Sequence, residues 1–222
     1  MPAMREQAEK RRRMVETQLI ARGIADRRVL EAMGQVPREV FVAEALRQFA
    51  YDDTALPIAA EQTISQPYIV ALMAEAAAIG PGDLVLEVGA GSGYAAAVLG
   101  AMGAEVVAIE RHSELVALAR ERMLLLGYPN VGVEEGDGSI GLPALAPFEA
   151  IVVSAASREV PPPLLEQLAP GGRLVIPVGP PDAQSLLRIT RGTDGTNRRD
   201  DLGPVRFVPL IGAHALPPGS PG

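Results

Sequence analysis

The sequence predicts an α/β protein built on a doubly wound, mainly parallel sheet. Three observations carry that prediction. Short apolar runs alternate with helical stretches from Asp83 onward, a glycine-rich turn joins the first such run to its helix, and the pattern changes to two extended segments after Gly179. At 222 residues the chain can bury one substantial core, so 1–222 is expected to form a single domain. Within it, 1–82 is expected to be a helical part that covers the site and 83–179 the α/β core. Residues 180–212 should supply antiparallel strands, and 213–222, rich in proline and glycine, a flexible tail.

Taken in order, residues 1–46 read as helical. Gly23 is expected to stop the first helix and Asp26 to cap the second, in which Val29, Leu30 and Met33 share a face. The basic run Lys10-Arg11-Arg12-Arg13 lies among Glu6, Glu9 and Glu16, which predicts a solvated first turn of a helix rather than a nucleic-acid element. Residues 50–62 show no sustained period and read as a loop. Ser65 is expected to cap a helix that has Pro67 near its first turn and ends at Gly80-Pro81-Gly82. Buried strands follow at 84–88, 106–109, 131–133, 151–153 and 174–177, separated by helices at 94–102, 113–126 and 163–168. Segments 185–190 and 205–210 are expected to be antiparallel strands joined by a polar connection at 191–201.

Composition narrows the function. Twenty Lys+Arg against 27 Asp+Glu give a net charge of −7, which disfavours a polyphosphate or an anionic membrane as partner. The absence of Trp and an aromatic content of 4% disfavour stacking on single-stranded nucleic acid. A chain without Cys has no disulfide, thiol nucleophile or thiolate metal site, and His112 and His214 are too far apart in sequence to suggest a zinc pair. No metal is therefore expected. No apolar run approaches membrane-spanning length and no secretory pattern follows Met1, so a cytoplasmic location is expected.

The chemistry gathers at the strand ends. Leu84-Val85-Leu86-Glu87-Val88-Gly89-Ala90-Gly91-Ser92-Gly93-Tyr94 is a strand, a turn and the start of a helix, with glycines that allow positive φ and close approach of a ligand. A dinucleotide is one candidate ligand, but Tyr94 breaks its G-x-G-x-x-G fingerprint, and the Glu87 carboxylate would repel a pyrophosphate. Beside a sulfonium-bearing amino acid that carboxylate is favourable, which points to S-adenosylmethionine. Glu110, ending the next strand, is placed to accept hydrogen bonds from ribose hydroxyls, and Asp137-Gly138 after the third strand to meet the adenine amino group. These positions form one row at the carboxyl edge of a parallel sheet, where ligands bind in such folds. The row selects no methyl acceptor. Another acceptor, a nicotinamide oxidoreductase or a non-catalytic adenosylmethionine-binding module stay open on these residues alone.

A broader pattern narrows the choice. Met14-Val15, Gln18-Leu19, Arg22-Gly23-Ile24, Val36-Pro37-Arg38-Glu39, Ala50-Tyr51-Asp52-Asp53 and above all Gln62-Thr63-Ile64-Ser65-Gln66-Pro67 resemble the amino-terminal motifs of protein-L-isoaspartate O-methyltransferases. Gly136-Asp137-Gly138, Gly171-Gly172-Arg173-Leu174 and Val205-Arg206-Phe207-Val208-Pro209-Leu210 continue the resemblance, which runs from about Met14 to Gly212. Three positions depart from the usual pattern: Glu61 stands in place of a glycine, and Ala90 and Ser154 in place of threonines.

The resemblance implies a Rossmann-like methyltransferase fold, with S-adenosylmethionine as cofactor and S-adenosylhomocysteine as product. Its substrates would be damaged proteins and peptides carrying L-isoaspartyl or, less readily, D-aspartyl residues, and the enzyme is expected to be a monomer. It implies that Ser65 is the active-site serine. Thr63, Ile64, Ser65 and Gln66, with Glu87, Gly89, Gly91, Gly93, Glu110, Arg111, Asp137 and Gly138, would hold the cofactor, and Ser65, Ser154 and Ala155 the acceptor. A carboxylate acceptor is ionised at neutral pH, with a usual pKa of about 4, so a chain poor in histidine can perform this reaction without a strong base.

Overall fold

In the computed structural model residues 2–217 are described, with side chains from Arg5 onward. Helix α1 (Pro2–Met14) passes through one π-helical turn, Val15–Leu19, and a short 3-10 turn, Ile20–Arg22. Gly23 stops it with φ 93°, a left-handed conformation that costs glycine little. The Asp26 carboxylate then accepts the Arg28 N–H at 2.8 Å and caps α2 (Arg27–Gln35). Both stop and cap were expected. The basic run lies at the end of α1 rather than in a first turn, where Lys10 pairs with Glu6 and Arg12 with Glu9 and Glu16.

Two 3-10 turns, Arg38–Phe41 and Glu44–Phe49, replace continuous helix in the following segment. The stretch read as a loop carries β1 (Leu56–Pro57), which pairs antiparallel with β2 (Thr63–Ile64) to form a small hairpin. Helix α3 spans Pro67–Ala77. Its cap position is Gln66 and not Ser65, because Pro67 occupies the first helical residue, where its fixed φ and missing N–H cost nothing. The helix ends at Ala78, before the Gly80-Pro81-Gly82 stop, and Arg173 donates to the Ala77 carbonyl at 2.8 Å and to that of Ala78.

The remaining elements alternate: β3 (Leu84–Val88), α4 (Tyr94–Ala101), β4 (Glu105–Glu110), α5 (Ser113–Leu126), β5 (Val131–Glu135), β6 (Phe148–Val153), α6 (Pro162–Glu166), β7 (Leu168–Val178), β8 (Gln184–Arg191) and β9 (Asn197–Val205). The seven-stranded sheet has the order β5-β4-β3-β6-β7-β8-β9, parallel through β7 and antiparallel beyond it. Neighbouring residues within a strand enter different cores. Val85, Val106, Val152 and Val175 pack with α3 and α4, whereas Leu86, Ile151, Leu174 and Ile176 pack with Leu164 of α6. Both faces are covered, which explains why these strands read as unbroken apolar runs.

The second antiparallel strand is not 205–210 but Asn197–Val205, most of which lies in the segment read as a polar connection. It is an edge strand, so its charged residues keep solvent contact while Arg188 of β8 pairs with Asp200 at 3.0 Å. Past Val205 the segment 206–210 leaves the sheet and crosses the carboxyl edge, bridging Ala156 through Pro209. The tail expected to be flexible from 213 is tied down at its start: Ala213 N–H donates to Asp137 at 2.7 Å, His214 N–H to Ser139 Oγ at 3.0 Å and Leu216 N–H to the Leu210 carbonyl at 3.1 Å. The rest of that tail, 218–222, lies outside the described residues.

Candidate active site

Adjacent β3 and β6 connect onward in opposite directions, β3 to β4 and β6 to β7, which opens a crevice at their carboxyl ends. The two chains stay close there: Ser154 N–H donates to the Val88 carbonyl at 2.8 Å. Gly89, Gly91 and Gly93 have φ of 85°, 53° and 87°, so the turn follows a path that side chains would strain. A Cβ on Gly138 would stand 2.4 Å from Val88 Cγ1, which keeps the third strand end close against the first.

Glu110 organises this loop. Only 5% exposed, it accepts the Gly91 N–H through Oε2 and the His112 N–H through Oε1, each at 2.9 Å. Each carboxylate oxygen has a second lone pair, so a pair of neighbouring hydroxyls can still be accepted. Beneath the loop, the ring of Tyr94 meets that of Phe41 edge-on at 5.4 Å, and the buried Arg38 guanidinium lies 5.0 Å from the Tyr94 ring. Arg38 Nε donates to the Ala50 carbonyl at 2.7 Å, and Arg122 donates to that of Ser92 at 2.8 Å. Through these contacts the amino-terminal segment braces the glycine turn.

Two cavities flank the crevice. One, of about 390 Å³, is bounded by Gly89 and Gly91, by Glu110, Arg111 and His112, and by Gly136, Gly138, Ser154 and Ala155. The other, of about 930 Å³, is bounded by Ser65, Gln66 and Ile69 of the α3 end, by Ala156 and Arg158, and by the 204–209 segment. Thr63, Ser154, Val208 and Pro209 line both, so the cavities share a wall.

Several predicted residues fall elsewhere. Ser65 and Gln66 line the larger cavity and not the smaller, and Ile64, in the second strand of the hairpin, is buried at 4% exposure and lines neither. Gly93 starts α4, with a Cβ position only 3.1 Å from Ala119 and Met123, and serves packing. Asp137 turns its carboxylate to Ser139 and to the Ala213 amide, which holds it below the usual carboxylate range against the opposing effect of burial. It thereby anchors the chain's last turn, while Gly136 and Gly138 face the cavity.

Glu87 is fully buried on the α3–α4 face, where its oxygens make no hydrogen bond of normal geometry among the described residues, although the Ser154 side chain and the Ala96 N–H lie against them. Burial first, then repulsion from Glu110, raises its pKa well above the ordinary 4.5. It lines neither cavity. Glu61 lines the smaller cavity rather than the larger, and it follows Ala60 in a left-handed pair with φ 55° and 56°, where a glycine would be unstrained.

Sequence reasoning missed His112 and the 208–211 wall of the smaller cavity, and Arg158 and Arg206 of the larger. The signal for the wall was the apolar run 207–211, which has no place in the sheet interior.

Residues 9–215 match the family model described as protein-L-isoaspartate(D-aspartate) O-methyltransferase. The chain belongs to that family. Among curated relatives, the protein-L-isoaspartate O-methyltransferase of Methylorubrum extorquens is 61% identical over 93% of this chain and 90% of its own length. That of Roseiflexus sp. is 59% identical over 94% of each. A solved Plasmodium falciparum structure of this enzyme class, in complex with S-adenosyl-L-homocysteine, superposes with a TM-score of 0.79 at 30% identity, covering 90% of this chain and 98% of that one. Among the described residues no helix is long and apolar enough to cross a membrane.

Proposed function

We propose that the smaller cavity holds the cofactor against Gly89, Gly91, Glu110 and Gly138, and that the larger presents the acceptor carboxylate past Ser65 and Ser154. The chain is an S-adenosylmethionine-dependent protein-L-isoaspartate O-methyltransferase, methylating the free carboxylate of isoaspartyl residues and so initiating repair through a succinimide. S-adenosylmethionine, when bound, supplies a methyl group on a positively charged sulfur. What supports the assignment of the cavities is their common wall of Thr63, Ser154, Val208 and Pro209, across which groups held on either side can meet.

The residues' task is positioning. Glu110 would accept the two ribose hydroxyls with its remaining lone pairs, and Glu61 would add negative charge near a cationic cofactor. Ser65, released from the capping role, would donate its hydroxyl to the acceptor carboxylate, with Ser154 on the wall common to both cavities, whereas Ala155, expected beside the acceptor, lines the smaller cavity alone. The carboxylate needs no deprotonation, and orientation of this kind can supply roughly 7–11 kcal/mol. Action as a monomer on isoaspartyl and D-aspartyl residues of damaged proteins is proposed, and the proposed setting is the cytoplasm.

The test is methyl transfer from labelled S-adenosylmethionine to paired peptides that differ only in an isoaspartyl or an aspartyl linkage. Base-labile label is expected on the isoaspartyl peptide alone. Equal labelling of both, or none by folded protein that binds the cofactor, contradicts the proposal.

A further inference from the structure

The acceptor cavity, at about 930 Å³, is more than twice the size of the cofactor cavity at about 390 Å³, and exceeds what one isoaspartyl side chain fills. Residues on either side of the acceptor must enter it too. Its charged lining is uneven: Arg158 and Arg206 face it, and the one carboxylate is Asp53, already paired with Arg22 at 2.9 Å. Neither Arg158 nor Arg206 has an ion pair or side-chain hydrogen bond among the described residues. Both project from pinned backbone. Ser157 N–H donates to the Pro177 carbonyl at 3.1 Å, and Gln184 clasps Phe207, accepting its N–H at 2.7 Å and donating to its carbonyl at 3.1 Å. In a chain of net charge −7, this is a local cationic mouth in front of the acceptor.

We infer that Arg158 and Arg206 read the charge of the residues flanking the isoaspartyl residue, making acidic sequence contexts the preferred substrates. The inference rests on the reading of the larger cavity as the acceptor site. Both guanidiniums are exposed, so each is worth only a few-fold, and reversing a neighbour's charge changes attraction into repulsion at both.

The experiment compares three isoaspartyl peptides, identical except for Glu, Gln or Lys beside the isoaspartyl residue, by kcat/KM. It uses the native chain, R158Q, R206Q and the double variant, with S-adenosylhomocysteine affinity confirming that each is folded. The native chain should prefer Glu over Lys by about ten-fold, and the preference should shrink in about 0.5 M NaCl. Each single variant should lower the ratio and the double should bring it close to one. A native ratio of one or below overturns the inference, and so does a ratio that survives in the double variant. A uniform loss on all three peptides also overturns it, because the arginines would then hold the reacting carboxylate itself. Failure to methylate even the Gln-flanked peptide would strike the functional reading instead, and this inference with it.

Discussion

Replacing Glu110 by glutamine probes the cofactor cavity with the least change in shape. The native carboxylate accepts two backbone N–H groups, from Gly91 and His112, one on each oxygen. Glutamine keeps one acceptor and turns the other oxygen into an NH2 group facing a backbone donor. One charge-assisted bond is lost, and the residue is only 5% exposed, so water offers little replacement. Loss of such a bond costs about 1.5–3 kcal/mol, and the ribose hydroxyls lose an acceptor of the same kind. S-adenosylhomocysteine should therefore bind roughly 10- to 150-fold more weakly. Calorimetric titration reads this without turnover, and the variant's melting curve, expected to be lowered but still cooperative, establishes that it is folded. Affinity within two-fold of the native chain in a folded variant would refute the placement of Glu110 on the ribose.

Two further outcomes follow from the same geometry. Because burial and Glu110 hold the Glu87 pKa above its ordinary 4.5, the stability this residue contributes is complete below that value and declines as pH rises toward the folded-state pKa. Glu87→Gln abolishes the decline, so its melting temperature should rise relative to the native chain as pH increases above about 4.5, and a pH-independent difference would refute the buried neutral carboxyl. His112 lines the cofactor cavity, yet the acceptor needs no base, so His112→Ala should weaken cofactor binding while kcat keeps the native pH profile. A change in the shape of that profile would show that the imidazole takes part in the chemistry.

The sheet core was legible because helices cover both faces, which forces strands such as Leu84–Val88 to be apolar throughout. Helix α5, Ser113–Leu126, matched its expected bounds because Gly127 takes the left-handed stop at φ 74°. Strand β9 was hidden, since an edge strand is held by backbone pairing and by Arg188–Asp200 and needs no apolar alternation. The apolar run after it was misread as a strand for the converse reason: its side chains wall the two cavities and the second core instead of pairing in the sheet. Gly89, Gly91 and Glu110, singled out by their spacing, come together on the wall of the smaller cavity. The turning of Asp137 toward Ala213 could not be read from spacing, because it depends on a segment 76 residues away. Ser65 shows the limit most clearly. A serine just ahead of a helix-starting proline reads as a cap, but Pro67 shifts the cap to Gln66 and leaves Ser65 on the wall of the larger cavity.

Ser65→Ala tests the division of labour between the cavities most directly, by kcat on an isoaspartyl peptide measured beside S-adenosylhomocysteine affinity on the same preparation. With no helix cap to lose, the variant should melt within about 0.5 kcal/mol of the native chain, the usual range for a partly exposed site with no such structural role. Cofactor affinity should be retained while turnover falls by about ten-fold, the scale of one orienting hydrogen bond to a charged group. Normal turnover, or a loss of cofactor affinity as large as the loss of turnover, would contradict an acceptor site separate from the cofactor site.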